Sequence, residues 1–331
     1  AFDVAVDSED NVTVTGASLN GTYNYYTIKY DKGGNEIWGR RYDAEHGWPS
    51  GDLAFEVAVD SADNVIVAGW SHNRDDYDYY TIKYDKNGVE QWNRRYDGGL
   101  DDLLFELAID SNDSVIVTGY SDTAAAKYDY YTIKYDKDGI ERWSERYDGS
   151  GFDDLAFYVA IDSEDNVIVT GWSNDGTYYN YYTIKYGKNG GEIWNRTYYS
   201  YSEDMAWCVA VDSEDNVIVT GYSHGGASYN YYTVKYDKDG IEQWNKTYDG
   251  GHDDAYPVTV VDSEDNVIVT GMSHDGAAYN YYTIKYDKNG NVIWNKSYDG
   301  GSDDVNPATV VDSENTVIVT GWSHDGAYYD Y

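Results

Sequence analysis

The chain is short of several residue types, and each shortage closes a class of answers. Cysteine occurs once, at Cys208, so no disulfide forms within the chain and the redox compartment stays open. Three prolines in 331 residues exclude a proline-rich linker. No run of about 18 apolar residues occurs, so no membrane-spanning helix is expected. Bases number 23 against 60 acids, and a net charge of −37 repels a phosphate backbone, which argues against a nucleic-acid partner. No basic segment with an apolar core opens the chain, so no signal peptide is read in it, and a start at Ala1 rather than Met reads as a processed or excerpted chain. Signatures of catalysis are missing too: no Ser-His-Asp order, Cys-His pair, glycine-rich phosphate loop or His-Glu-x-x-His is found. Paired carboxylates are everywhere, so they single out no acid/base couple. No catalytic residue is assigned, and no enzyme is expected.

Tyrosine is what the chain has in excess: 40 residues, within an aromatic content of 17%. A strongly acidic chain with few aromatics reads as disordered, but this one has ample apolar surface to bury. The stretch VDSEDNVIVTG, Val211 to Gly221, returns seven times with small edits, whereas YYTIKYDK, first at Tyr25, returns six times. The opening aspartates are Asp7, Asp60, Asp110, Asp162, Asp212, Asp262 and Asp312, spaced 53, 50, 52, 50, 50 and 50 residues apart. Each period resolves into four short segments rich in Val, Ile, Tyr, Trp and Thr, too short for helices and separated by Asp-Ser-x-Asp-Asn or Asp-Lys-Asn-Gly turns. The two middle segments are apolar on both faces, which a lone sheet cannot bury and a ring of sheets can.

The fold expected is an all-β propeller of four-stranded antiparallel blades, seven in number, the last incomplete. Blade limits fall near 1–48, 49–99, 100–150, 151–200, 201–250, 251–300 and 301–331. The words VDSEDNVIVTG, YYTIKYDKNG and Trp…Tyr-Asp-Gly-Gly resemble the prokaryotic seven-bladed β-propeller repeat known as SBBP. That resemblance covers nearly the whole chain and implies a secreted or cell-surface protein of archaea or bacteria.

Candidate sites follow from blade geometry. The turns after the first and third strands are tight, so the long variable segments share the opposite face, where binding usually resides. On that face Asp102, Asp154, Asp204, Asp254 and Asp304 sit at one blade position beside glycines, a hard-oxygen setting for calcium at one mouth of a central channel. Calcium is therefore the one cofactor considered. Loop residues Tyr178, Tyr179, Tyr229, Tyr279 and Tyr328 are expected to be exposed, suited to a sugar ring or a protein surface. Asn195, Asn245 and Asn295 open glycosylation sequons at one position of the outermost strand. The tryptophans Trp38, Trp92 and Trp244 and their equivalents are expected to pack between blades. In blade seven, Val317 and Val319 lie on a strand whose outer edge is open for β-augmentation, and about 19 residues separate the chain from seven periods of roughly 50. The reading that unites these features is a non-catalytic extracellular structural protein. It would be a subunit of a surface layer, sheath or filament that self-associates, with strands from a neighbour completing blade seven. The alternative is a calcium-assisted carbohydrate- or protein-binding adhesin.

Overall fold

The computed structural model describes residues 1–44, 51–123, 127–324 and 329–330. The chain divides into two compact units, Ala1–Ile161 with Asn189–Gly191, and Asp162–Lys188 with Glu192–Tyr331. The division runs through the fourth repeat, whose first strand (Asp154–Ile161) belongs to the first unit and whose other three belong to the second.

Repeat two, in the first unit, shows how one period folds. Its strands are Asp52–Val59, Val65–His72, Tyr77–Tyr84 and Glu90–Tyr96, hydrogen-bonded in that order and all antiparallel. The second strand is buried at Val65, Ile66, Val67 and Ala68 and the third is buried from Asp78 to Tyr84, while the fourth buries only Trp92. This gradient follows the sequence: β-branched and aromatic residues on both faces of the middle strands, alternation on the outer one. Repeats one, three, five and six have the same order, and repeat seven has two full strands (Asp304–Val311, Val317–His324) and a two-residue third, Tyr329–Asp330.

Two devices set the first hairpin. In the turn Asp60–Asn64, Asp60 Oδ1 accepts the backbone N–H groups of Ala62 and Asn64, each at 2.9 Å, and Asp63 takes φ 62°, which aspartate tolerates. Opposite the bulge between Ala54 and Glu56 stands Gly69, where a Cβ would lie 2.0 Å from the Leu53 carbonyl oxygen. The glycine that ends VIVTG is thus required by the bulge beside it.

The two recurring motifs meet inside each sheet. The lysine of YYTIKY reaches the first aspartate of VDSEDN: Lys29–Asp7, Lys83–Asp60, Lys134–Asp110, Lys185–Asp162, Lys235–Asp212 and Lys285–Asp262, all at 2.6–2.7 Å and nearly or fully buried. Facing threonines share a hydrogen bond between the second and third strands, as in Thr15–Thr27 at 2.9 Å and Thr270–Thr283 at 3.0 Å.

Consecutive blades of one unit are joined by a repeated set of contacts. Tyr25 Oη donates to the Tyr80 carbonyl and Tyr181 Oη to that of Tyr232, both at 3.0 Å. Trp38 donates its indole N–H to Lys86 O at 3.1 Å, and Trp92, Trp194 and Trp244 do the same to Lys137, Lys238 and Lys288 at 3.0 Å. Trp38, Trp92, Trp194 and Trp244 therefore do pack between blades. Tyr42 stacks on Tyr80 at 4.2 Å, and Tyr248 on Tyr282 at the same distance. Finally the Ser8 N–H and Oγ both bond the Asp63 carboxylate at 2.9 Å, and Ser61–Asp113, Ser163–Asp215 and Ser213–Asp265 repeat this latch.

Candidate functional site

The aspartates expected to bind calcium are placed one to a blade, each at the first residue of a first strand and each fully buried. Each closes its own loop: Gly98 N–H donates to Asp102, Gly149 to Asp154, Ser200 to Asp204, Gly250 to Asp254 and Gly300 to Asp304. Burial raises Asp102 to about 7 and Asp254 to about 6, against hydrogen bonds from Ser121 and Ser273 that lower them. Of the five, only Asp154 joins a group of three among the described residues, with Asp129 and Asp148, their nearest oxygens within 4.8 Å of one another.

A second such group comprises Asp76, Asp78 and Asp97 in blade two. Asp78 and Asp129 occupy equivalent positions and are ion-paired with Arg95 and Arg146 of their own fourth strands. Blades four to six carry Asn180, Asn230 and Asn280 there, with Thr197, Thr247 and Ser297 in place of the arginine. Acid and base thus come and go together in these blades, while blade one keeps Arg41 beside Asn24. Burial raises Asp78 to about 6 even with Arg95 beside it.

The loop tyrosines require a correction. Tyr178 is exposed, but Tyr179, Tyr229 and Tyr279 open third strands and are half-buried. Pairing opposite Asn174, His224 and His274 turns their rings inward, onto Trp172, Tyr222 and His274 respectively. Tyr229 also donates its hydroxyl to Glu203. Tyr328 lies outside the described residues. The sequon asparagines lie on the edge strands Glu192–Tyr198, Glu242–Tyr248 and Val292–Tyr298. Asn245 and Asn295 are exposed and Asn195 is half-buried.

One constellation had no counterpart in the sequence reading. Asp3, Glu56 and Glu106 hold the same position in the first strands of blades one to three. Glu56 hydrogen-bonds both other carboxyls; burial pushes both glutamates up, followed by repulsion from Glu106 and Asp3 at Glu56 and from Asp3 at Glu106. Asp3 is raised by burial as well, although Val57 N–H donates to it at 2.9 Å. Three acids at one repeat position, where later blades have Tyr158, Cys208 and Val258, was the signal available.

Blade seven and blade one each present an incomplete interface. On blade one, Val4 is 57% exposed, whereas the equivalent Val57 of blade two is 6% exposed; Val6 is 59% exposed and its equivalent Val59 half-buried. On blade seven, Ile318 is 50% exposed, whereas the equivalent Ile268 of blade six is fully buried. Val317 and Val319 are half-buried on their strand. On its far edge, among the described residues, that strand pairs Ser323 with Asp330 and His324 with Tyr329.

No family model matches the chain. An uncharacterized WD repeat-containing protein, L264 of Acanthamoeba polyphaga mimivirus, is 26% identical over 193 residues, which cover 52% of this chain and 11% of that protein. Among solved structures, the periplasmic gluconolactonase PpgL of Pseudomonas aeruginosa is similar with a TM-score of 0.60 and 8% identity, over 90% of this chain and 85% of that one. The β-propeller domain of the Trilobed protease from Pyrococcus furiosus is similar with a TM-score of 0.52 and 10% identity, over 98% and 92%. These likenesses and the repeated four-stranded sheets define the class: an all-β propeller of seven blades, the last incomplete. Among the described residues no helix is long and apolar enough to cross a membrane.

Proposed function

We propose that the protein is a non-catalytic, extracellular structural subunit that self-associates through its terminal blades. The observation that carries this reading is the pair of apolar faces left open on blades one and seven, each of a kind that neighbouring blades cover elsewhere. Ser313 has the position of the donor serines and Asp10 that of the acceptor aspartates, so the same polar latch can form between two copies. A blade-seven face meeting the blade-one face of a second copy is a head-to-tail contact, which extends into filaments or closes into rings. The excess of acid and the exposed sequons Asn245 and Asn295 suit a hydrated, glycan-bearing outer surface.

The test mixes two single variants, Asp10→Cys and Ser313→Cys, under mild oxidation; the native Cys208 is buried. A cross-linked species of two chains that needs both variants is the expected result. Cross-linking only when both cysteines are on one chain would mean that the two faces close on each other, and self-association by this route would fail.

A second reading is a calcium-assisted adhesin, favoured by the carboxylate groups around Asp78 and Asp129. It expects calcium to raise the melting temperature, because a ligand specific to the native state stabilises it. Asp97→Asn and Asp148→Asn together would abolish that rise. An unchanged melting temperature in millimolar calcium would end this reading.

A further inference from the structure

The groove between blades five and six, both in the second compact unit, departs from its counterparts elsewhere in the chain. In blades one, two and four the fourth-strand arginines Arg40, Arg94 and Arg196 lie 5.6–5.8 Å from the ring centres of Trp38, Trp92 and Trp194. Each also donates its Nε–H to a turn-glycine carbonyl of the next blade, that of Gly88, Gly139 and Gly240 respectively. Under this clamp the three tryptophans are no more than 8% exposed. Blade five carries Lys246 at the same position, and an ammonium has no planar fork to lay over an indole while reaching a carbonyl. Trp244 is correspondingly half-buried, although its indole N–H keeps the bond to Lys288 O at 3.0 Å.

Beside Trp244 lies a cavity of about 390 Å³, within the range of roughly 300–1,000 Å³ usual for small-molecule sites. Its walls come from the first turn and the third and fourth strands of blade five, and from the two tight turns of blade six. Several of its groups have bonding capacity left. Lys235 holds Asp212 at 2.6 Å, whereas its equivalents Lys83 and Lys185 place a second N–H on Lys137 O and Lys238 O. Gln243 donates its amide N–H groups to Asp237 and Ile241, which leaves its carbonyl oxygen to accept. Glu214, Lys288 and Asn289 bring an exposed carboxylate, ammonium and amide.

We propose that this cavity binds a neutral pyranose sugar. A purely apolar ligand would leave a mostly charged and amide lining without partners. An anion would meet the carboxylates of Asp212, Glu214 and Asp265 on a chain of net charge −37, and a cation would meet the ammonium groups of Lys235 and Lys288. A pyranose offers donors and acceptors around an apolar ring face. That face packs on the Trp244 indole, while the hydroxyls donate to Glu214 and Gln243 and accept from Lys235, Lys288 and Asn289. The site draws on neither the terminal blades nor the carboxylate groups around Asp78 and Asp129, so it goes beyond both readings above.

The probes are the methyl glycosides of glucose, galactose, mannose and glucuronic acid, each mixed with the full chain and followed by saturation-transfer NMR and calorimetry. EDTA is present throughout, which separates the result from calcium-assisted binding. At least one neutral glycoside is expected to bind, and more tightly than the glucuronide. Glu214→Ala is expected to weaken that glycoside by about tenfold, the loss of a hydrogen bond to a charged group. Lys246→Arg rebuilds the clamp of blades one, two and four, and is expected to weaken binding as much. Melting temperatures matching the wild type without sugar verify that both variants fold. Absence of binding by all three neutral glycosides, tighter binding of the glucuronide, or affinity indifferent to either substitution would overturn the proposal.

Discussion

At the scale of single residues, the buried lysines carry the most instructive chemistry. Lys235 and Asp212 are both almost wholly buried and 2.6 Å apart, and the aspartate also accepts hydrogen bonds from Asn216 and Glu214. Lys235→Met leaves that carboxylate buried without its counter-charge, and is expected to cost about 3–5 kcal/mol in urea denaturation. The same pairs give a pH signature. Burial alone would raise Asp7, but the bonds from Lys29 and Asn11 outweigh it and hold the carboxyl at about 2. A lowered group contributes stability above its unfolded value, and that contribution is lost as pH falls toward the folded one. Glu56 and Glu106 act in the opposite sense, raised by burial and repulsion. Their folded state holds protons that the unfolded chain releases, so stability falls as pH rises past the ordinary glutamate value of 4.5. Glu56→Gln should therefore raise the melting temperature at about pH 8 and change it little at about pH 4. Equal effects at both pH values would contradict the raised protonation.

At the scale of the element, the blade is a sheet whose bulged first strand dictates the second. Gly119 repeats the geometry of Gly69, with a Cβ placed 2.0 Å from Leu103 O, a backbone atom that cannot swing aside. Gly119→Ala is expected to destabilise by about 1–3 kcal/mol or more, since overpacking here has to shift two strands. The hairpin of the third and fourth strands was legible because Asp-Lys-Asn-Gly turns and alternating Trp and Tyr advertise it. The strand boundary before the third strand was not. Tyr179, Tyr229 and Tyr279 sit among turn-forming residues, and only cross-strand pairing with Asn174, His224 and His274 draws them inward.

At the scale of the molecule, the blades are alike in sequence but not in environment. Ile268 and Ile318 occupy the same place in their motifs, one fully buried and the other half exposed. Ile318→Asp is expected to change the stability of the isolated chain by about 0.5 kcal/mol or less, whereas Ile268→Asp should cost several times more. If the proposed head-to-tail contact operates, Ile318→Asp also lowers the apparent mass seen by light scattering at high concentration. Of the aspartates expected to hold calcium, Asp154 joins a group of three acids with Asp129 and Asp148, an arrangement set by the contacts of its own blade.

The sequence by itself determined the strands, their number per period, the turns, the seven-bladed class and the edge placement of Asn245 and Asn295, because periodicity and turn chemistry are local. It also marked blade seven as incomplete, since six copies of one motif cannot serve seven of the other. Tertiary structure alone decided which groups meet. Lys29 finding Asp7, Glu56 lying between Asp3 and Glu106, and Tyr248 stacking on Tyr282 of the next blade all depend on contacts across strands or blades. Those contacts join residues 22 or more positions apart, a distance over which no local pattern in the sequence reports.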